Sequence, residues 1–253
     1  MTWRKVLILA ALAGAVAIGA AWLAHATLVD SRLSHLSGGN LRFADGNGTI
    51  WQGRGVIAAG PARLPVAWRA EPLALLGGEA RVHLVPTSAG GGESARGDIT
   101  VGAGNLSIRN MNMTLPASIV VVATGRAAAD TVAGEITVTS AALDWTPTKT
   151  SGQAEVAWRG ARLALVGSNA PIDLGDVRMN LVAEGDGFSG PVSNTGGDLD
   201  VRGSVGVRDR DGVVLMLSLA PRDPDNKQLA LGLATIGAAD GDRWRVTYRF
   251  PLR

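Results

Sequence analysis

Along most of the chain after residue 26, hydrophobic and polar residues alternate with the two-residue period of a β-strand. In residues 243–250, aromatic and aliphatic side chains alternate with arginine and threonine. Residues 134–139, 197–205 and 228–236 show the same alternation. Such segments bury one face and expose the other, as antiparallel strands do. The pattern predicts an all-β body of roughly twelve to fifteen short strands, arranged as a sandwich, a barrel or a long meander.

Turn residues separate these segments. The predicted turns are at residues 38–40, residues 45–48, Asp186-Gly187, Asp211-Gly212 and Asp240-Gly241. A short helix is predicted at residues 71–76, while the β-branched residues within 115–123 favour a strand there. Residues 86–97 and 221–227 have the composition of connecting loops.

The N-terminal region is different, because residues 6–24 contain no charged or strongly polar side chain. As a helix they would be roughly 28 Å long, close to the ~30 Å hydrocarbon thickness of a bilayer. The large apolar residues of this predicted membrane anchor are Val6, Leu7, Ile8, Leu9, Leu12, Val16, Ile18, Trp22 and Leu23. Arg4 and Lys5 precede it, so the positive-inside rule places the N-terminus in the cytoplasm.

These features predict three regions in a single-pass membrane protein. Residues 1–5 are cytoplasmic, residues 6–26 form the transmembrane anchor, and residues 27–253 form an exported β domain. A cleaved signal peptide is the alternative, since Ala24-His25-Ala26 is a small-x-small sequence. Signal peptides usually have apolar regions of about 7–15 residues, so the longer stretch favours retention. Residues 27–253 are exported under either interpretation.

Charge and composition exclude several classes of protein. Apart from Arg4 and Lys5, basic and acidic side chains balance at 22 each, so the body lacks the basic surface that nucleic acid requires. The chain has no cysteine, which excludes disulfides, cysteine zinc sites and thiol enzymes.

No catalytic or metal-binding pattern emerges. His25, His35 and His83 do not have metal-pair spacing, and His83 is expected to be an ordinary strand residue. The closely spaced acidic pairs are Asp209 with Asp211, Asp223 with Asp225, and Asp240 with Asp242. All lie in predicted turns, where aspartate bonds the local backbone. We therefore expect no enzyme activity, no metal, no cofactor and no small-molecule substrate.

The tryptophans of the body stand at apolar positions, often within two residues of a glycine. They are Trp51, Trp68, Trp145, Trp158 and Trp244. Core packing is the main interpretation, with the small neighbour making room for the ring. The alternative is that Trp51, Trp68, Trp158 and Trp244 form a surface for a partner or line an apolar groove.

An ordered series of motifs from residue 48 to the C-terminus resembles the type II secretion system protein N family. The motifs are Gly48-Thr-Ile-Trp-Gln-Gly53, Leu64-Pro-x-x-Trp68, Pro72-Leu-x-Leu-Leu-x-Gly78, Trp158-Arg-Gly-Ala-x-Leu163, Leu174-Gly175, Asn194-Thr-Gly-Gly-Asp-Leu199, Gly203, Asp211-Gly212 and residues 237–241. The most specific of them is the stretch Asn194–Leu199. The single N-terminal anchor agrees with this family, and the resemblance implies that residues 6–26 cross the cell inner membrane and that residues 27–253 form a periplasmic β domain.

The resemblance implies an accessory role in moving folded proteins from the periplasm across the outer membrane. Other secretion-system components would be the partners, and there are no catalytic residues to transfer from the family. It also implies kinship with exported proteins that form long, curved sheets with an apolar trough. The alternative function is therefore a periplasmic lipid-handling protein. A glycan-active enzyme is a third hypothesis, which requires two carboxylates facing each other about 5–10 Å apart.

Overall fold

The computed structural model describes residue 39 and residues 41–60, 62–86, 95–119, 132–164, 171–208 and 212–250. The strands within them are β1 (Arg42–Gly48), β2 (Gln52–Ala59), β3 (Ala62–Ala70), β4 (Ala80–Val85), β5 (Ala95–Gly102), β6 (Asn105–Pro116), β7 (Val132–Trp145), β8 (Thr150–Leu163), β9 (Ile172–Glu184), β10 (Gly187–Thr195), β11 (Leu199–Arg208), β12 (Gly212–Pro221), β13 (Ala238–Asp240) and β14 (Arg243–Phe250). The 3₁₀ helix is Pro72–Gly77, and the α-helix α1 is Lys227–Ile236.

All fourteen strands belong to one antiparallel sheet. From β1 to β12 each strand pairs with the next one in the sequence. Strand β14 then pairs with β12, and β13 lies outside β14. The order begins at β1 and ends at β13, and these two strands do not pair in the described part of the chain, so the sheet is open. The all-β class and the antiparallel meander are thus confirmed, and one sheet forms in place of two separate sheets.

The predicted membrane anchor at residues 6–26, with Arg4 and Lys5, lies outside the described residues. Within the ranges that are described, none of the helices combines the length and the apolar character needed to cross a bilayer.

Two of the predicted turns join neighbouring strands, while Asp211 and residues 38 and 40 of two others lie outside the described residues. Glu184 pairs with Gly187 around Gly185-Asp186, and Asp240 pairs with Arg243 around Gly241-Asp242. The turn predicted at residues 45–48 is wrong, because these residues belong to β1. Their asparagine, aspartate and glycines instead form a bulge between Ala44 and Asn47, and Asp45 adopts a φ of +53°.

The strand predicted for residues 228–236 is also wrong, because they form α1. The Asn226 side chain accepts a hydrogen bond from the Leu229 amide at 3.0 Å, which caps the helix N-terminus. Leucine and alanine are strong helix formers. Of the alternating leucines, Leu233 is buried against the sheet whereas Leu231 is exposed on the other side of the helix.

Three other expectations have mixed outcomes. The helix predicted at residues 71–76 is confirmed as the 3₁₀ helix. The strand predicted through residue 123 ends at Pro116, residues 117–119 are helical, and residues 120–131 lie outside the description. The loop predicted through Gly97 is too long, since β5 begins at Ala95.

The core consists of two clusters on the sheet. The larger joins β8 to β12, β14 and α1, and its buried members are Ala161, Leu174, Val177, Val192, Leu199, Val201, Val205, Leu219, Leu233 and Val246. The smaller joins β2, β3, β6 and the helical turn, through Ala59, Leu64, Leu115 and Ile119. Each cluster therefore has a helical segment packed onto the sheet.

Candidate interaction surface

Cross-strand register gives the sheet one apolar face. Directly opposed residues of neighbouring strands share a face. The opposed apolar pairs are Phe43–Ile57, Ile57–Leu64, Trp68–Leu84, Val82–Ile99, Ile99–Ile108, Leu115–Ile136, Val138–Val156, Trp158–Val177, Met179–Val192, Phe188–Val207, Val205–Leu215 and Leu217–Val246. We call the surface formed by these residues the apolar face. It continues without interruption from β1 to β14.

The other face is mostly polar at the corresponding positions, with Val85, Val182 and Met216 as exposed apolar exceptions. It carries opposed pairs such as Arg69–His83, Asp98–Arg109 and Arg202–Ser218. On the apolar face many side chains are only half-buried, and Val101 and Tyr248 are exposed. The sheet is therefore amphipathic, and its apolar face is only partly covered.

Trp68 lies on the apolar face at the N-terminal end of the sheet. Its ring meets that of Phe43 edge to face, with centroids 5.6 Å apart. Its indole Nε1 donates to the Ile50 carbonyl at 2.9 Å. A Cβ on Gly53 of the neighbouring strand would come within 2.6 Å of the Trp68 ring, and one on Gly55 would overlap the Phe43 ring. The glycines of β2 thus make room for rings from adjacent strands.

Trp158 and Trp244 lie on the same face and pack against the larger core cluster. The Trp158 indole Nε1 donates to the Ala133 carbonyl at 3.0 Å. A Cβ on Gly134 would approach this nitrogen to 2.8 Å, so here too the glycine that makes room is on the neighbouring strand. Trp51 is half-buried in the turn before β2. The four candidate tryptophans are therefore spread along the sheet and do not form one cluster.

Asn194, the first residue of the most specific motif, ties three strands together. Its side-chain Nδ2 donates to the carbonyls of Leu174 and Leu199 at 2.6 and 2.8 Å. Its Oδ1 accepts from the Val201 amide at 2.8 Å. A side-chain amide suits this position because it donates hydrogen bonds through its nitrogen and accepts one through its oxygen at the same time. The residue has a structural role at the ends of β9, β10 and β11.

The rest of this motif packs against a bulge in β9. The Asp198 amide donates to the Asp173 carbonyl at 2.7 Å, and the Asp198 carboxylate accepts from the Asp173 amide at 2.9 Å. Gly175 and Gly197 both have left-handed φ angles, and a Cβ on Gly197 would lie 2.5 Å from the Gly175 nitrogen. Glycine is therefore required at positions 175 and 197, where the two backbones approach each other closely.

A partly buried ion-pair network joins β11, β12 and β14. Arg243 donates to the Asp200 carboxylate at 2.7 Å and to the Ser218 hydroxyl at 2.7 Å. This bond from Arg243, more than any other contact, holds the pKa of Asp200 below its usual range, and the nearby Arg202 and Arg222 lower it further. The network therefore links β14 to β11 and β12 through side chains as well as through the backbone.

His83 on β4 is bracketed by two carboxylates. Its Nδ1 lies 2.7 Å from Asp98 Oδ1, and its Nε2 lies 2.9 Å from Glu71 Oε1. These two hydrogen bonds, the one with Asp98 first, raise the pKa of His83. This cluster has no signal in the sequence, because its members are 12 and 15 residues apart and share no local pattern.

The described residues contain no group of three or more histidine, aspartate or glutamate side chains placed to hold a metal ion. The acidic pair at Asp223 and Asp225 forms a local turn, in which the Asp223 carboxylate accepts from the Asp225 amide at 3.0 Å. Asp240 pairs with Arg245 at 2.6 Å. The turn prediction is thus confirmed for Asp223 and Asp225, whereas Asp240 lies in β13 and bonds a side chain. Asp209 and Asp211 lie outside the described residues.

Comparison with known proteins adds one match. A family model described as type II secretion system (T2SS), protein N, matches residues 39–247. Neither the curated proteins nor the solved structures include a significant match.

Proposed function

Because the chain belongs to the type II secretion system protein N family, we propose that it acts as an accessory inner-membrane component of this system, supporting the export of folded proteins through contacts with other components. The observation that carries the proposal is the family match over residues 39–247, which covers the whole described sheet except its last residues. Membership identifies the chain as a type II secretion component, and the accessory role at the inner membrane is our proposal.

The apolar stretch at residues 6–24 supports an anchored arrangement, with Arg4 and Lys5 in the cytoplasm and the sheet in the periplasm. A tether confines the sheet to a thin layer at the membrane. It raises the effective concentration near other anchored components to about the millimolar range. Weak contacts would therefore suffice for assembly.

The apolar face is the surface we propose for those contacts. Trp68, Trp158 and Trp244 lie on it and are half-buried, so part of each ring remains available to a partner. Tryptophan is among the residues that contribute most to protein interfaces. No bond-making chemistry is required of the protein in this role.

A crosslinking experiment in intact membranes tests the proposal. A photoreactive amino acid replaces Trp244 on the apolar face, and a matched variant carries it at the adjacent Arg245, whose side chain is exposed on the polar face. We expect adducts with secretion components from position 244 and few from position 245. Equal recovery from both, or recovery of no secretion component, contradicts the proposal.

The membrane topology is tested separately with single introduced cysteines, because the chain has no native cysteine that would react. A cysteine at Thr2 should be protected from a membrane-impermeant maleimide in spheroplasts, and a cysteine at the exposed Ala103 should react. The reverse pattern would overturn the assigned orientation.

A lipid-handling function is the second candidate, favoured by the continuity and partial cover of the apolar face. A surface that shelters acyl chains needs an apolar path longer than a single pocket, and the opposed pairs from β1 to β14 form such a path. Cells grown with radioactive phosphate and carrying the photoprobe at position 244 should then yield a labelled phospholipid adduct. Unlabelled protein at position 244, or equal labelling at position 245, would eliminate this candidate.

A further inference from the structure

The 3₁₀ helix Pro72–Gly77 carries a compact group of solvent-exposed leucines. Leu73 is 77% exposed, Leu75 is 50% exposed and Leu76 is 81% exposed. None of the residues of this helix is buried. A contiguous group of exposed large apolar residues is characteristic of a surface that contacts a protein or a membrane. We call Leu73, Leu75 and Leu76 the leucine tip.

Backbone hydrogen bonds hold the leucine tip in one arrangement. The Gly78 amide donates to the Leu75 carbonyl at 3.0 Å, and the Glu79 amide donates to the Ala74 carbonyl at 3.1 Å. At the other end, the Glu71 amide donates to the Arg81 carbonyl at 3.0 Å. The backbone that carries the leucines is therefore held in place before any partner binds, which reduces the entropic cost of binding.

The charges at the base of the leucine tip nearly balance. Arg81 bonds the Glu79 carboxylate at 2.8 Å and lies 3.7 Å from Glu71. His83 contacts Glu71 at 2.9 Å and Asp98 at 2.7 Å, and Asp98 lies directly opposite Arg109 on the next strand. The tip thus presents an apolar surface without a strong field of either sign. It matches an apolar medium better than it matches a charged ligand.

The length of the N-terminal connection brings a bilayer within reach. The chain enters the sheet at Arg42, at the end of the strands opposite the 3₁₀ helix, because Arg42 pairs with Ala58 whereas Gln52 pairs with Arg69. The nine residues of β3 span about 30 Å between these two ends. The 17 residues from 25 to 41 can extend to about 60 Å. The connection is therefore long enough for the sheet to turn its tip toward the bilayer.

We propose that Leu73, Leu75 and Leu76 insert into the surface of the same bilayer that holds the N-terminal segment. This inference rests on the membrane anchorage in the proposed function. Three leucines alone bind a bilayer weakly, but the tether keeps them at the membrane surface, so weak insertion becomes persistent. The anchor and the leucine tip then form two points of attachment, which orient the sheet on the membrane.

The test uses the full chain in nanodiscs with a polarity-sensitive dye on a single cysteine. Gly77→Cys places the dye in the 3₁₀ helix, where a Cβ meets no atom within 4 Å. The matched control is Ala103→Cys, in the exposed β5–β6 turn at the same end of the sheet. We expect a blue-shifted emission at position 77 that spin-labelled lipids quench, and a water-like emission at position 103.

The triple variant Leu73→Ser, Leu75→Ser, Leu76→Ser should abolish the shift at position 77. Because the three side chains are exposed, its melting temperature should stay close to that of the parent. The single variant Leu76→Ser, with the most exposed leucine, should reduce the shift and serves if the triple variant is poorly folded. Since the local charges nearly balance, the shift should not depend on salt or on the fraction of anionic lipid.

Three results would overturn the inference. The first is a water-like emission at position 77 in a chain that remains in the membrane after alkaline extraction. This result refutes insertion of the leucine tip and leaves the anchor intact. Another is release of the chain by alkaline extraction, which refutes the anchor and the inference together. The last is a blue shift that requires added membrane protein and is absent with lipid alone, which identifies a protein groove as the occupant.

Discussion

The two leucines of α1 provide a direct test of how the helix is attached to the sheet. Leu233 is 1% exposed within the larger core cluster, and Leu231 on the same helix is 70% exposed. Replacing Leu233 with alanine removes buried atoms and leaves a cavity beside Val246. Leu→Ala changes in cores cost about 2–5 kcal/mol, and the nearly complete burial of this side chain places the expected loss of unfolding free energy within that range.

Leu231→Ala is the matched control, because both variants make the same chemical change in the same helix. The small effect of alanine on helix propensity is common to both, so their difference isolates burial. We expect a change within about 0.5 kcal/mol for Leu231→Ala, as for other exposed substitutions. The measurement is urea unfolding of the full chain in mild detergent, followed by far-ultraviolet circular dichroism. Equal losses in the two variants would refute the assignment of α1 as a helix with one buried face.

Three further changes test the polar contacts of the sheet. Asn194→Asp replaces an amide that donates to two carbonyls with a carboxylate, which cannot donate. The unfolding free energy should therefore fall by about 2–4 kcal/mol. An unchanged free energy in urea unfolding would contradict the structural role of this residue. Asp200→Asn should cost about 1.5–3 kcal/mol because it leaves the partly buried Arg243 without its carboxylate. Its control, Asp240→Asn, removes an exposed ion pair and should cost about 0–1 kcal/mol, and the reverse ranking of the two melting temperatures would refute the argument. The raised pKa of His83 stabilises the fold fully below the unfolded pKa of about 6.5, and this contribution is lost as the pH rises through the folded pKa. Unfolding free energies measured at a series of pH values should therefore decline above about pH 6.5, and His83→Asn should flatten that decline.

The strands were predictable because each depends on its own sequence. Alternation over residues 197–205 predicts that Leu199 and Val201 share a face, and both are buried in the larger cluster. A glycine in a tight turn, as at Gly241, is likewise a local signal, with a φ of +68°. The fold class and the hairpins β9–β10 and β13–β14 were therefore accessible from the sequence.

The helix α1 was not predictable from alternation alone. Leucines at positions 229, 231 and 233 fit a strand of period two, while Leu229 and Leu233 also fit one face of a helix. The Asn226 cap and the lack of β-branched residues before Thr235 decide in favour of the helix. The two-residue alternation predicts a strand, whereas the capping asparagine at the start of the segment predicts a helix.

Contacts between distant residues could not be predicted from their spacing. The association of tryptophan with glycine was recognised, but the glycine that accommodates Trp68 is Gly53 on the adjacent strand. Likewise, Glu71 and Asp98 meet His83 because of the register of β4 and β5 and the position of the 3₁₀ helix. Such contacts depend on the register between strands, which the spacing of residues along the chain does not give.

The strand order has a consequence for how the molecule is made. Since every strand from β1 to β11 pairs with its successor, each new strand adds to the one before it and needs nothing from residues still to be synthesised. Because synthesis runs from the N-terminus, the sheet can grow progressively, one strand at a time, in the order of the sequence. The last step would differ, because β14 pairs with β12 and waits for α1 and β13, which come before it in the chain. Until that step the outer edge of β12 would remain a growing end, open to chaperones or to a neighbouring copy.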